Sequence, residues 1–76
     1  MDLLISVTPA NDGWAIRSEL LDGSLYFNKG GQAEATARDL AERAANTGRS
    51  AEVLVFLRDG ALAGRHLHPA RQAAAS

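Results

Sequence analysis

The sequence predicts a two-layer α+β fold of order βββ-α-ββ: an antiparallel three-stranded meander, one helix, then a hairpin. Three observations carry this. The first 28 residues alternate apolar and polar with a period of two and are broken by glycine-bearing turns. The next stretch switches to helical spacing. The run after it, "VLVFL" at 53–57, is apolar throughout and closes on the turn signal "RDG".

Each element has its own signature. In "LLISV" (3–7), Leu3, Ile5 and Val7 share one face of a strand. "PANDG" is a cluster of turn residues. In "WAIRSEL" (14–20), Trp14, Ile16 and Leu20 face one way and Ala15, Arg17 and Glu19 the other. "DGS" (22–24) fits a hairpin turn, because glycine reaches positive φ without a side-chain clash. "SLYFN" (24–28) sets Leu25 and Phe27 opposite Tyr26.

From Gln32 to Thr47, Ala33, Ala37, Leu40, Ala41 and Ala44 form an apolar stripe, opposed by Glu34, Arg38, Asp39, Glu42, Arg43 and Asn46. Glu34/Arg38 and Asp39/Arg43 have the favourable acid-first i,i+4 order. Asn28 is a candidate N-cap, Gly48 sits at a C-terminal stop, and the two glycines of "NKGGQ" leave the helix start at Lys29 or Gly31. "AEVLVFL" (51–57) is the fourth strand, Asp59-Gly60 a tight turn, and "ALAGRHL" (61–67) a short fifth strand. The domain is expected to span 1–68, with 69–76 a fraying tail.

"VLVFL" poses a problem that leads to function. One helix covers one face of a sheet. If Val53, Val55 and Leu57 point at the helix, Leu54 and Phe56 point away, with Tyr26 on the same side; the reverse register exposes the valines instead, and either leaves an apolar patch. The fourth strand is therefore expected beside the first, inside the sheet, with its outer face covered by a second copy of the chain. Arg17 and Glu19 rim that face. The composition adds to the case. Fifteen of the 76 residues are alanine, which bury little area, and a core of this size seldom supplies more than about 3–5 kcal/mol.

Composition also excludes several classes. There is no cysteine, hence no disulfide and no thiolate metal site. A net charge of −1 gives no general pull toward nucleic acid or anionic lipid. No apolar run approaches the ~20 residues that span a bilayer. The start "MDLLISVTP" lacks the basic region of a signal peptide, so a cytoplasmic protein is expected.

"DGWAIRSE", "YFNKGGQAEATARDLAERAANTG" and "AEVLVFLRDGAL" together resemble a small bacterial family catalogued as a domain of unknown function. The matching features are Trp14, Ile16, Phe27, Ala33, Gly48, Asp59 and Gly60, over residues 3–65. The resemblance implies no catalytic residues. The paired glycines of "NKGGQAEA" depart from that pattern. A meander with a Trp14-x-x-Arg17 strand before a helix is also similar to the DNA-binding arm domains of phage-type integrases. That likeness implies nucleic-acid binding through the sheet face by Arg17, Arg58 and Arg65. Asp12, Glu19 and Asp22 near the same face, and the lack of a basic stripe, oppose it.

Little else points to chemistry. His66-x-His68 offers two metal ligands where zinc takes three or four, so no metal site is expected. "KGGQAEA" precedes a helix but lacks both nucleotide signatures, so no cofactor is expected. No serine sits in an elbow motif, and the chain reads as non-enzymatic.

Overall fold

A computed structural model describes residues 2–71. The elements are β1 (Leu3–Ala10), β2 (Gly13–Ser18), β3 (Ser24–Phe27), α1 (Gly30–Asn46), β4 (Ala51–Phe56) and β5 (Leu62–His68). The five strands form one mixed sheet in the order β3-β2-β1-β4-β5, with the helix packed on one face. β1–β2, β2–β3 and β4–β5 are antiparallel; β1–β4 is parallel. A parallel neighbour needs a long crossover, which α1 provides as it carries the chain from the β3 edge back to β1. β4 thus lies beside β1, as its continuous apolar run requires.

The helix-side face holds the core. Leu3, Ile5 and Val7 from β1, Ile16 from β2, and Ala51 and Val53 from β4 are buried. The helix contributes Ala33, Ala37, Ala41 and Ala44, so nearly all large core side chains come from the sheet. Trp14, Leu21, Phe27, Leu40 and Val55 pack around the margin. At the helix start, a Cβ on Gly30 would lie 2.9 Å from the Trp14 indole Cε2. Gly30 therefore serves close packing of helix on sheet, and Trp14 belongs to the core.

Local readings needed four corrections. β1 runs on through Pro9 to Ala10, where a turn was expected. Beyond Val7 it pairs with β2 alone, and an edge position tolerates a residue lacking N–H. β2 stops at Ser18, so Leu20 sits exposed in a turn and Leu21 reaches the core instead. α1 starts at Gly30, where Lys29 or Gly31 was expected; Lys29 occupies the N-cap position without a side-chain cap, so Asn28 does not cap the helix. β4 ends at Phe56, leaving Leu57 exposed in the turn rather than facing the helix.

The helix C-terminus follows the sequence closely. Gly48 has φ +91°, its N–H donates to the Ala45 carbonyl, and Arg49 N–H donates to the Ala44 carbonyl. This is a Schellman cap, which needs the left-handed residue that glycine supplies. The β4–β5 turn closes through Leu57 N–H to the Ala61 carbonyl, and the Asp59 carboxylate accepts from Ala61 N–H. Of the segment expected to fray, residues 69–71 are held: Arg71 N–H donates to the Ala45 carbonyl. Residues 72–76 lie outside the described residues.

Candidate interaction surface

Strand register fixes what the helix-free face presents. Three rows of side chains cross it. The first contains Tyr26, Ala15 and Thr8 on β3, β2 and β1, and Phe56 paired with Leu62 on β4 and β5. The second runs Ser24, Arg17, Ser6, Leu54, Arg65 through all five strands. The third runs Leu4, Glu52, Leu67 through β1, β4 and β5. Between Val55 and Phe56 the β4–β5 register shifts, which brings Leu62 opposite Phe56.

The apolar content is concentrated on one side. Leu4, Leu62 and Leu67 are 48%, 52% and 59% exposed, and Leu54 and Phe56 between them are half-buried. All five lie on β1, β4 and β5. Single exposed leucines are ordinary; here five large apolar side chains share one face of three adjacent strands, with Glu52 and Arg65 set among them. The β3–β2 side is different. Tyr26 is exposed, yet Ala15 and Thr8 separate it from Phe56.

The charged residues named from the sequence spread apart. Arg17 lies on the face. Arg65 does too, but its guanidinium is hydrogen-bonded to the Glu52 carboxylate. Arg58 sits in the β4–β5 turn, and Glu19 lies in the turn after β2, ion-paired with Arg49.

Comparisons with protein-family models, curated proteins and solved structures found no match. Function must therefore be argued from these surfaces.

The helix-side face of β5 carries a second cluster. His66 meets the Glu34 carboxylate at 2.9 Å, and His68 meets that of Glu42 at 3.3 Å. Glu34 thus reaches across to β5, where an i,i+4 pair with Arg38 was expected; Asp39–Arg43 does form, at 3.1 Å. Arg71 also binds Glu42, and donates to Asn46 Oδ1 at 2.8 Å. Among the described residues no group of three or more metal-ligating side chains assembles. The hollow at the β1–β2 turn, lined by Asn11, Asp12, Trp14, Tyr26 and Asn28 among others, is open and brings together no pair of carboxylates. No helix among the described residues is long and apolar enough to cross a membrane.

The His68 hydrogen bond holds the Glu42 carboxyl below its ordinary value of 4.5; desolvation opposes it, and Arg71 reinforces the lowering. A depressed carboxylate stabilises the fold above its unfolded value, and that contribution disappears as the pH falls through the folded one. Glu42→Gln should therefore melt below the wild type near neutral pH. The gap should close as the pH drops below about 4.5, as thermal melts across pH 3–7 would read. A gap independent of pH would assign the loss to packing.

Proposed function

We propose that this chain is a non-enzymatic interaction domain that associates with a second copy of itself through the helix-free face of β1, β4 and β5. The observation that carries the reading is the cluster of Leu4, Leu54, Phe56, Leu62 and Leu67 on that face. The alanine-only inner stripe of α1 gives a further reason, since a thin core benefits from any added burial.

Nucleic-acid binding by Arg17, Arg58 and Arg65 is the competing reading. Glu52 already neutralises Arg65, and Arg58 stands in a turn away from the rows. The apolar stretch is also the wrong surface for a phosphate backbone.

Light scattering behind a sizing column, over a concentration series, tests the proposal. The wild type is expected to approach twice the chain mass at high concentration. Leu54→Asp should be monomeric with an unchanged circular-dichroism spectrum. Removing one buried leucine per copy forfeits about 1.5–3 kcal/mol at each of two symmetric positions, which weakens association by at least roughly a hundredfold. A wild type that stays monomeric at high concentration overturns self-association. A salt-dependent DNA titration abolished by Arg17→Glu would favour the competing reading.

A further inference from the structure

Resting on that reading, we propose the geometry of the pair: two copies stack face to face about a two-fold axis lying along β4, off the centre of the sheet. The register of the three rows decides this. Symmetric dimers bury the same patch on both partners, so the patch must complement itself. Aligned sheet packing keeps the strands of the two copies nearly parallel or antiparallel, which leaves two orientations for an axis through Leu54: across the strands or along them.

An axis running across the strands maps the second row onto itself strand by strand. It sets Arg17 against Arg17, like charges with only Ser6 and Ser24 beside them in the row. An axis running along β4 swaps β1 and β5 instead. Leu54 then meets Leu54, Phe56 meets Phe56, and Glu52 meets Glu52 with each carboxylate held by its own Arg65. Leu4 of one copy meets Leu67 of the other, because both stand in the third row, one strand to either side of β4. Arg65 meets the other copy's Ser6.

Charge complementarity supports the same choice. Glu52, in the β4 column, is only 15% exposed and is bound by its own Arg65, which is 67% exposed. Under the β4 axis the other copy's Arg65 takes the β1 side of Glu52. Two carboxylates then sit among two guanidiniums near the axis, and the charge balances. Arg17 and Tyr26, two and three strands from β4, fall beyond the other copy's β5 edge. They become rim residues, which accounts for polar surface beside an apolar patch. Stacked sheets lie about 10 Å apart and cross at about 30°, which shifts positions one strand off the axis by a few ångströms, within reach of a leucine.

The test uses two single variants of the full chain, Leu4→Asp and Leu67→Lys. Both positions are half-exposed on the surface, so folding should survive, and circular dichroism verifies it. Each variant alone is expected to be monomeric where the wild type is dimeric, with association weakened at least tenfold. Mixed in equal amounts they should recover a dimer, because position 4 of one chain faces position 67 of the other. A mixture that stays monomeric while both variants fold and the wild type dimerises overturns the axis alone. A monomeric wild type overturns the reading beneath it.

Cross-linking supplies a second measurement if either variant misfolds. The chain has no cysteine, so Leu4→Cys and Leu67→Cys each introduce a single thiol. A bismaleimide spanning about the sheet separation should link an equal mixture of the two variants faster than either variant alone. Linking no faster in the mixture than in the separate variants overturns the axis.

Discussion

Gly13→Ala is expected to destabilise the fold by roughly 2 kcal/mol and lower its melting temperature by about 10 °C. A Cβ at this position would stand 2.2 Å from the Phe27 carbonyl oxygen, 3.2 Å from its carbon and 3.3 Å from Asn28 Cα. All three are backbone atoms, so no side-chain rotation relieves the overlap. β3 must shift where Trp14 pairs with Phe27. Crowding of this kind costs typically 1–3 kcal/mol and sometimes more. Losing glycine's freedom in the unfolded chain returns about 0.4–1 kcal/mol, so the clash wins. Gly31→Ala is the control. Nothing lies within 4 Å of its Cβ position, and the residue is helical. That substitution should stabilise by about 0.5–1 kcal/mol. Calorimetry of both variants reads the contrast. If Gly13→Ala melts with the wild type, β3 does not pack on β2 as described.

Gly13 was read in the sequence only as part of a turn, and its case shows what a sequence leaves out. The period-two alternation of Leu3, Ile5 and Val7, the alanine stripe and the Gly48 stop were legible, because each is a local preference that the fold also satisfies. The neighbouring places of β1 and β4 were legible too, since "VLVFL" makes sense only inside a sheet. Contacts between distant segments were not. Glu34 has an arginine four residues on, yet pairs with His66, 32 residues away. Nothing local marks Glu52 as the partner of Arg65.

The interaction surface was half legible for the same reason. Leu54 and Phe56 follow from the alternation of one strand, and they do face away from the helix. Leu4, Leu62 and Leu67 join them only once β1 and β5 are known to flank β4. Leu4 carried a signal that went unused: it stands between Leu3 and Ile5, so its face is opposite theirs. Leu62 carried none, because the register shift beside Val55 sets its pairing. Tyr26 also faces away from the helix, but on β3, three strands from β4.

Ile5→Ala is expected to cost about 4 kcal/mol, near the upper part of the range for such truncations. Ile5 is fully buried in β1, opposite Val53 on one side and Ser18 on the other. The cost of a cavity depends on how far its walls can relax into it. The buried core side chains of the helix are Ala33, Ala37, Ala41 and Ala44, none with a rotamer to turn, and Leu40 packs only at the margin. The strand walls are fixed on both flanks by β2 and β4. The void therefore stays open, and the loss rivals the roughly 3–5 kcal/mol that a core of this size supplies. Ile5→Val, which removes one methyl, should cost only about 0.5–1.5 kcal/mol. Urea titrations should show the midpoint falling in that order with little change in slope. The proposed self-association would add a concentration dependence. If only folded chains pair, raising the protein concentration should refold part of the Ile5→Ala population and leave an Ile5→Ala/Leu54→Asp double variant unfolded. An Ile5→Ala midpoint equal to that of Ile5→Val would mean that the alanine face of the helix can close on the sheet. The thin core would then be a weaker reason for the chain to need a second copy.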